Sequence, residues 1–509
     1  MERLIRGLLR PEAYDHPVER FELLETHISW VILTGKYAYK IKKPVDFGFV
    51  NFTMLALREH FCQEELRLNR RLAEDIYLGV VPIYGPMETP SLQGSGTPIE
   101  YAVKMLEFPQ SVLLPEVLAL GELLEELIDH LAHDVAQFQT RAAIANSEGE
   151  YGSPESILSA TLECLKPLAS SPELEERIQK LDSWTAEEFS KLTGSFLERR
   201  AAGFVREGHG DMHLGNMLLR GTRIEIFDCL EFNASLRWID GISEVAFLVM
   251  DLEDRGRGDL GWRFLNGWLE ETGDYAGMRL WNWYYCYRAL VRAKVAFLRL
   301  GQSDLTAHDR EKLNRELTSY LELAERVTAP SKPRLVITSG VSGTGKSYWT
   351  GQLAARCEFV RLRSDVERKR LYADRPGIST GELYSQEATE RTYSRLYAQA
   401  EALLCAGFTV VVDATFLRRN RREQFRELAK RLDVAAELIE FSAPVEVLQQ
   451  RIRKRQQEGK DPSDADLQVL EKQLETREAI EPDEGWSVLS VSGDEPVQIE
   501  AALSKWSAR

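Results

Sequence analysis

The sequence predicts two modules in one chain: a bilobal α+β domain, followed by an α/β domain with a parallel sheet. Two observations support this prediction. Up to about residue 107 the pattern is that of short strands, and from there to residue 329 it is mostly helical. After residue 330, short apolar runs typical of buried parallel strands alternate with helical segments. The length of 509 residues suits about three compact units.

The first module begins with a small β-rich lobe. Residues 27–50 predict two strands joined by a turn at residues 34–36. A helix and two further strand-like runs follow, around a loop rich in Gly, Pro and Ser at residues 87–98. From about residue 111 to residue 300 the composition predicts helices, and one strand-forming segment, GNMLLRGTRIEIFD, interrupts them.

A short linker predicts the boundary between the two modules. A charged helical stretch at residues 308–327 ends in TAPSKP, where Pro330 and Pro333 stop the helix. The runs LVITSG, FVRL, TVVVDA, ELIEFSA and WSVLSVS then form the predicted sheet. The predicted segments are a small lobe of about 1–107 and a helical lobe of about 108–329, together the module 1–329, and the module 330–509.

The net charge of −16 belongs to the first module, because residues 330–509 contain 28 basic and 28 acidic residues. An acidic surface repels phosphate backbones. Residues 1–329 are therefore predicted not to bind nucleic acid, whereas residues 330–509 remain open to it.

Cysteine usage and hydropathy predict a cytoplasmic protein without a membrane segment. The six cysteines form no C-x-x-C pair, which is typical of reduced thiols in a chain of this size. No apolar stretch approaches the length of a membrane span. The first residues lack the uninterrupted apolar core of a signal peptide. The oligomeric state is not predicted.

Residues 340–347, GVSGTGKS, fit the phosphate-binding pattern G-x-x-x-x-G-K-[ST] and lie between an apolar strand and a helix-forming segment. Glycines let backbone N–H groups curve around phosphate oxygens, and the helix N-terminus adds a positive end. The lysine is expected to reach the β- and γ-phosphates, and the serine hydroxyl to bind Mg²⁺. The predicted ATP-binding residues are Gly340, Ser342, Gly343, Thr344, Gly345, Lys346 and Ser347.

Two acidic residues follow strands of the same predicted sheet. Asp365 comes directly after FVRL, with Arg368 three residues later, and Asp413 ends TVVVD. Ligands of an open parallel sheet bind beyond the carboxyl ends of its strands, so Ser347, Asp365 and Asp413 are expected to face one crevice. Asp413 is predicted, with Ser347, to support Mg²⁺.

Late arginines predict a lid over this crevice. Arg451, Arg453 and Arg455 fall in one helix, followed by the polar loop QQEGKDPSDAD. Arginines next to such a loop suit a segment that closes over the transferring phosphate, and Arg451 and Arg455 are the predicted lid residues. A solvated helix face is the alternative for each of them.

Through GVSGTGKS, SDVERKRL, VVVDATF and the late arginines, the second module resembles P-loop kinases of the gluconate kinase, zeta-toxin and polynucleotide kinase-like group. In that group the acid matching Asp365 accepts the proton of the substrate hydroxyl. The arginine matching Arg368 holds the substrate. The resemblance therefore implies that Asp365 is catalytic and that Arg368 binds the acceptor.

The first module carries a second phosphoryl-transfer motif. In HGDMHLGN, Asp211 is followed after four residues by Asn216, and the next strand, RIEIF, leads to Asp228. This order of acid, asparagine, strand and acid is the one that the protein-kinase architecture uses. Asp211 is predicted to deprotonate a substrate hydroxyl, and Asn216 and Asp228 are predicted to hold the metal ions.

With Gly before Asp211, this motif resembles the aminoglycoside phosphotransferase and fructosamine-kinase branch of the kinase fold. The resemblance implies that YAYK carries the lysine for the nucleotide phosphates. Lys40 is the predicted residue, and Lys42, two residues along the same strand face, is the alternative. Glu65 is its predicted ion-pair partner, with Glu64 as the alternative.

Three acids beyond this motif are expected to support it. Asp240, Glu244 and Asp251 precede or lie in a predicted helix, where helix capping and contacts to the core are the expected roles.

The whole chain resembles bifunctional aminoglycoside phosphotransferase/ATP-binding proteins, in which both modules occur in this order. The resemblance implies a protein-kinase-like bilobal domain followed by a P-loop NTPase domain, both using ATP and Mg²⁺. A phosphotransferase acting on small-molecule hydroxyls is the prediction. The alternatives are a regulatory protein in which one module senses nucleotide, and a second module that phosphorylates nucleic-acid 5′-hydroxyls. The acceptor itself is not predicted.

Overall fold

The computed structural model describes residues 1–492 and Trp506, apart from residues 49, 303–304, 376–378, 459–462 and 464. Its strands are β1 (Glu22–Glu25), β2 (Ser29–Leu33), β3 (Tyr37–Lys42), β4 (Tyr77–Ile83), β5 (Glu100–Leu106), β6 (Val205–Glu207), β7 (Met217–Arg220), β8 (Arg223–Ile226), β9 (Trp238–Asp240), β10 (Arg334–Ser339), β11 (Val360–Arg363), β12 (Val410–Asp413), β13 (Ala435–Ser442) and β14 (Ser487–Ser492).

The helices within the described residues are α1 (Glu2–Leu8), α2 (Leu55–Asn69), α3 (Leu114–Ala119), α4 (Glu125–Arg141), α5 (Pro154–Leu168), α6 (Glu175–Ala201), α7 (Gly241–Asp254), α8 (Gly258–Thr272), α9 (Trp281–Leu300), α10 (Ala307–Thr328), α11 (Lys346–Arg356), α12 (Ser364–Leu371), α13 (Thr380–Leu383), α14 (Gln386–Cys405), α15 (Arg419–Arg431), α16 (Val445–Glu458) and α17 (Leu467–Thr476).

An antiparallel sheet of five strands, in the order β1-β2-β3-β5-β4, forms the small lobe. Strand β3 lies at its centre, where Lys40 pairs with Val31 on one side and Val103 on the other. Helix α2 follows β3 and packs on β4 and β5. Strand β1 is an addition to the prediction, which began its first strand at residue 27. Its sequence, ELLE, is short and does not alternate apolar with polar residues, and its side chains are all exposed.

Short β-ladders shape the region after α6. Strands β7 and β8 form a hairpin, and β6 pairs with β9. Asp240, at the end of β9, accepts the N–H of Ile242 at 3.1 Å in the first turn of α7. It also pairs with Arg199 at 2.6 Å. This acid therefore both starts the helix and compensates a buried arginine, as expected of a supporting residue.

All five strands of the second sheet are parallel, in the order β11-β12-β10-β13-β14. Two of them contain near-continuous buried runs, Leu335–Ser339 in β10 and the whole of β12. Such runs are typical of a sheet covered on both faces, and the order places β10, which leads into the P-loop, between β12 and β13. The predicted fold class is confirmed.

The chain forms two compact units. Unit 1 comprises Met1–Leu162 and Lys191–Asp251, and unit 2 comprises Glu163–Ser190 and Leu252–Arg509. Helices α8, α9 and α10 therefore group with the parallel sheet, although the predicted break lies near residue 330. Helix α8 packs on α11 and β11, and its Asn266 bonds the backbone of Phe359 and of Arg361 on β11. That 1–329 and 330–509 are separate domains stays a prediction.

Within the part of the chain that the structure describes, no helix is both long and apolar enough to cross a membrane.

Candidate functional site

In unit 1, the loop between β6 and β7 carries the predicted catalytic motif. Gly210 adopts φ +89°, and a Cβ there would lie 2.7 Å from the carbonyl oxygen of Leu236, so only glycine fits. His209 is buried; its Nδ1 accepts the N–H of Asp211 at 3.3 Å, and its Nε2 lies 2.9 Å from the carbonyl oxygen of Phe227. This network assigns the proton to Nε2. Burial lowers the pKa of His209, which favours the neutral form of the ring.

Two carboxylates of α7 hold the backbone of this loop. Glu244 accepts the N–H groups of His209 and, at 2.8 Å, of Gly210. Asp251 accepts the N–H of Leu214 at 2.9 Å. Because both carboxylates are buried and committed to the loop, they fix its shape without reaching a substrate. These are the supporting roles that the sequence predicts.

Asp211 and Asn216 lie in direct contact. The Asn216 side-chain Nδ2 donates to the Asp211 carboxylate at 2.9 Å and to the Asp211 carbonyl at 3.0 Å. His213 Nε2 lies 3.3 Å from the same carboxylate oxygen, Oδ2. The Asp211 side chain is 30% exposed, so it is oriented from one side and open to a substrate on the other.

Asp228 follows β8 in a left-handed conformation, φ +62°, that is uncommon outside glycine. Its N–H donates to the Tyr77 hydroxyl at 3.2 Å, and its carboxylate lies 2.6 Å from Lys40 Nζ. Backbone strain of this kind persists only where the surroundings impose it, and it is concentrated at functional sites. The structure thus joins Lys40 and Asp228 across 188 positions of sequence.

Lys40 and Lys42 share one partner but occupy different environments. Glu65 lies 2.8 Å from Lys40 and 2.7 Å from Lys42. Lys42 is 1% exposed and also pairs with buried Glu231, whereas Lys40 reaches half-exposed Asp228. Burial alone would raise the pKa of Glu65, but the two lysines outweigh it and hold that pKa at about 2. This geometry favours Lys40 over Lys42 as the phosphate-binding residue.

The alternative ion-pair partner lies elsewhere. Glu64 accepts two hydrogen bonds from Arg67, at 2.8 and 2.9 Å, and lies 3.5 Å from Arg237. It points away from the lysines of β3, and Glu65 is the glutamate that contacts them. Glu231 was missed by sequence reasoning, because the motif ends at Asp228 and nothing local marks a third buried acid.

In unit 2, the P-loop joins β10 to α11. Gly340, Gly343 and Gly345 adopt positive φ values of +148°, +88° and +93°, and these angles turn the backbone around the loop. Lys346 Nζ donates to the carbonyl oxygens of Gly340 and Val341 at 2.9 and 2.8 Å. The P-loop lysine is therefore buried against its own loop.

Burial lowers the pKa of Lys346 to about 8, although Asp413 and Asp365 act in the opposite direction. Asp413 ends β12, is 4% exposed and accepts a hydrogen bond from the Thr350 hydroxyl at 3.2 Å. Arg363 Nε lies 3.8 Å from the same carboxylate. The site therefore combines a buried acid with two nearby cations.

Asp365 and Arg368 sit together at the start of α12. Arg368 Nη1 donates to the Asp365 carboxylate at 2.8 Å, and the Tyr384 hydroxyl donates to it at 3.4 Å. The Arg368 guanidinium stacks 4.5 Å from the centre of the Tyr384 ring. Its Nε is buried and has no hydrogen-bond partner among the described residues. A buried donor of this kind is suited to an anionic or polar ligand.

An open cleft of about 1410 Å³ brings most of the predicted P-loop residues together. The predicted residues that line it are Ser342, Gly343, Gly345, Lys346, Ser347, Asp365, Arg368, Asp413, Arg451 and Arg455. Gly340 and Thr344 are not among the lining residues; the Thr344 hydroxyl donates to the Val341 carbonyl at 2.9 Å and so stabilises the loop from behind.

The predicted lid arginines lie on α16. Arg451 donates to the carbonyl oxygen of Gly343 at 3.2 Å, and Arg455 donates to that of Ala465 at 2.6 Å. Arg453, on the same helix, is exposed. The predicted lid loop after α16 falls largely outside the described residues, because 459–462 and 464 are not described.

Several cleft residues were missed by sequence reasoning. They are Arg363, Tyr384, Tyr393 and Arg421. Arg363 stands two residues before Asp365 at the end of a predicted strand, and this position was a usable signal. Tyr393 and Arg421 lie in helices and Tyr384 lies in the turn between α13 and α14, all without a motif, so only the fold brings them to the cleft.

Both sites offer oxygen donors of the kind that Mg²⁺ prefers. Mg²⁺ is commonly held by one or two carboxylates together with substrate phosphates. The Ser347 hydroxyl and the Asp413 carboxylate of the cleft fit that pattern. In unit 1, Asn216 Nδ2 donates to Asp211, which leaves the Asn216 Oδ1 and the half-exposed Asp228 carboxylate as oxygen donors. The residues present therefore fit the ion.

Residues 335–480 match the family AAA_33, described as an AAA domain. In unit 1, the five-stranded sheet carries Lys40, which pairs with Glu65 of α2 and with Asp228 of the Asp-Asn-Asp motif. In unit 2, a parallel sheet carries a complete P-loop. Together these features are those of a protein-kinase-like fold followed by a P-loop NTPase fold.

Two mycobacterial proteins are similar over most of this chain. They are Uncharacterized protein Rv2004c of Mycobacterium tuberculosis (strain ATCC 25618 / H37Rv) and Uncharacterized protein Mb2027c of Mycobacterium bovis (strain ATCC BAA-935 / AF2122/97). Each is 32% identical over 450 residues, which span 86% of this chain and 87% of the relative. The chain belongs to the family of these proteins.

Solved structures resemble one module each. The amicoumacin kinase hAmiN, in complex with AMP-PNP, Ca²⁺ and Ami, is 12% identical, with a TM-score of 0.40, over 63% of this chain and 92% of its own. A choline kinase from Cryptosporidium parvum Iowa II is 11% identical, with a TM-score of 0.40, over 64% and 95%. A sugar kinase from Janibacter sp. HTCC2649 is 24% identical, with a TM-score of 0.27, over 34% and 93%.

Proposed function

We propose that the protein is an ATP-dependent phosphotransferase with two nucleotide-binding modules, each of which transfers the γ-phosphoryl group of ATP to a hydroxyl of a small molecule. One observation carries the proposal: each unit holds a partly exposed carboxylate together with a lysine and oxygen donors. Asp211 is hydrogen-bonded to Asn216, and Asp228 after the following hairpin pairs with Lys40. Asp365 lines one cleft with Lys346, Ser347 and Asp413. Phosphoryl transfer requires these parts and little further chemistry from the protein.

In the kinase-like module, Asp211 accepts the proton of the acceptor hydroxyl. Asn216 orients this carboxylate through its Nδ2 hydrogen bond of 2.9 Å. Lys40 binds the nucleotide phosphates, and Glu65 fixes the direction of its side chain. Asn216 and Asp228 hold Mg²⁺, which neutralises charge on the phosphates when bound.

In the P-loop module, the backbone of the loop and Lys346 bind the phosphates, while Ser347 and Asp413 hold Mg²⁺. Asp365 accepts the proton of the acceptor hydroxyl. Arg368, which donates to Asp365 at 2.8 Å and keeps a buried Nε without a described partner, binds the acceptor. Arg451 and Arg455 of α16 also line the cleft and contribute positive charge to it.

Small-molecule acceptors are favoured over nucleic acid for both modules. The charge of −16 belongs to residues 1–329, where it repels a phosphate backbone, and residues 330–509 are electrically balanced. A pure nucleotide sensor would not need a carboxylate placed as a base in each site. We further propose a cytoplasmic location, on the basis of widely spaced free cysteines.

A screen of a metabolite library tests this proposal. The full-length protein is incubated with ATP, Mg²⁺ and pooled hydroxyl compounds, and products are detected by mass spectrometry as the gain of one phosphoryl group. The control is the double variant Asp211→Asn/Asp365→Asn, which keeps both nucleotide sites and lacks both bases. We expect at least one compound to be phosphorylated by the wild type alone. Equal products from both proteins would contradict the proposal.

A further inference from the structure

A carboxylate from outside the AAA_33 match contacts the P-loop sheet. Glu270 lies on α8, and its Oε1 is 2.8 Å from Arg361 Nε and 2.6 Å from Arg361 Nη2. Its Oε2 accepts a hydrogen bond from Arg363 Nη1 at 3.1 Å. Both arginines belong to β11, the edge strand of the parallel sheet. One acid thus pairs with two arginines.

Each of these arginines makes a second contact, directed at the nucleotide site. Arg361 Nη1 donates to the carbonyl oxygen of Ser347 at 3.0 Å. Arg363 Nε lies 3.8 Å from the Asp413 carboxylate. Ser347 and Asp413 are the two residues proposed to hold the metal. Glu270 is therefore connected to each of these two residues through one arginine side chain.

A glycine makes room for the first of these contacts. Gly351 lies inside α11, where glycine is unfavourable because of its backbone entropy. A Cβ at this position would lie 2.9 Å from Arg361 Nη1, closer than a side chain allows. The glycine therefore lets the guanidinium lie against the first turn of the helix that begins the phosphate site.

Hydrogen bonds between the Asn266 side chain and the backbone fix the position of α8 on β11. Asn266 Oδ1 accepts the N–H of Arg361 at 2.7 Å, and its Nδ2 donates to the carbonyl oxygen of Phe359 at 3.0 Å. The amide thus pairs with the edge strand as another strand would. Glu270 lies four residues later on the same helix face, directly over the arginines.

The electrostatics agree with this arrangement. Burial alone would raise the pKa of Glu270, but Arg361 and Arg363 outweigh it and lower the pKa below its ordinary value. The carboxylate is therefore charged, and it offsets positive charge that would otherwise face the metal-binding oxygens. Without the Glu270 carboxylate, Arg363 would still lie near the carboxylate of Asp413, which is 3.8 Å from Arg363 Nε.

We infer that Glu270 is a positioning residue of the P-loop site: it holds Arg361 on the Ser347 carbonyl and draws Arg363 away from Asp413, so that the Asp413 carboxylate can bind a divalent metal. The inference rests on the proposed function of this module. If Glu270 has this role, the functional P-loop module includes α8, which lies outside the residues that the sequence motif marks. Partners that orient metal ligands commonly have large effects on metal affinity.

The test is the Mg²⁺ dependence of ADP binding by the full-length chain, measured by calorimetry. The P-loop component is defined as the binding that Lys346→Ala removes. In Glu270→Gln, the half-saturating Mg²⁺ concentration of this component is expected to rise by about tenfold, the effect usual for a residue that orients a metal ligand. ADP binding without metal is expected to stay as in the wild type, because the P-loop backbone and Lys346 are unchanged.

Two further variants separate positioning from loss of stability. Glu253→Gln removes another buried carboxylate of unit 2, one that pairs with Arg326 and Tyr285, and is expected to leave the Mg²⁺ dependence unchanged. Gly351→Ala favours helix formation but displaces the flexible end of Arg361, and is expected to shift the Mg²⁺ dependence in the same direction as Glu270→Gln.

The outcomes distinguish this inference from the proposed function. If the wild type shows no Mg²⁺-dependent ADP binding that Lys346→Ala removes, the proposed function of the P-loop module fails and the inference with it. If the wild type shows that binding, and both Glu270→Gln and Gly351→Ala keep the wild-type Mg²⁺ dependence, the role of Glu270 is overturned and the proposed function stands.

Discussion

Asp211→Asn is expected to lower kcat of the kinase-like module by about 10²–10⁴, the usual contribution of a general base. An amide cannot accept the proton of the acceptor hydroxyl, but it keeps the size and the carbonyl-type oxygen of the original side chain. Asn216 can therefore still donate to it, as it does to Asp211 Oδ2 at 2.9 Å. We expect the fold and nucleotide binding to remain as in the wild type.

The measurement is turnover of an acceptor found in the screen, in the Asp365→Asn background, so that only the kinase-like module contributes. The matched control is Glu225→Gln, which removes a carboxylate from the neighbouring strand β8, where it lies 3.4 Å from Arg220. The control is expected to keep the kcat of the background protein. An Asp211→Asn variant that turns over as fast as this control would show that Asp211 is not the base.

Asp365→Asn is expected to lower kcat of the P-loop module by about 10²–10⁴ while ATP affinity stays nearly constant. The described hydrogen bonds of Asp365 involve Arg368 and Tyr384, at 2.8 and 3.4 Å, and neither partner belongs to the P-loop. Arg368→Ala is expected to raise KM for the acceptor, with a smaller effect on ATP, because its role is acceptor binding.

ATP titration by calorimetry, run beside turnover in the Asp211→Asn background, separates these effects. Glu387→Gln, in the first turn of α14 and exposed, serves as the charge-matched control and is expected to change neither quantity. If Asp365→Asn loses ATP binding together with turnover, Asp365 belongs to the nucleotide site or to the fold. The mechanism proposed for this module would then be wrong.

The parallel sheet could be predicted from the sequence because its strands are locally recognisable. A strand buried on both faces requires a continuous apolar run, and LVITSG and TVVVDA correspond to β10 and β12. The P-loop is equally local, since its glycines, lysine and serine are consecutive. Asp365 and Asp413 followed from topology, because both come directly after strands whose ends meet at one edge of the sheet.

Contacts between distant segments could not be predicted in this way. Lys40 and Lys42 lie on the same face of β3, and only the position of Asp228, brought in by the β7–β8 hairpin, distinguishes them. The pairing of Glu270 with Arg361 joins residues 91 positions apart, on a helix and an edge strand that carry no shared motif. Such pairs depend on how elements dock, which periodicity and spacing do not encode.

The most direct test of two separate nucleotide sites in one chain is the stoichiometry of binding. The full-length protein is titrated with a non-hydrolysable ATP analogue and Mg²⁺ in a calorimeter, alongside Lys40→Met, Lys346→Ala and the double variant. We predict two nucleotides per chain for the wild type, one for each single variant and none for the double variant. One nucleotide per wild-type chain, lost completely in either single variant, would contradict the account.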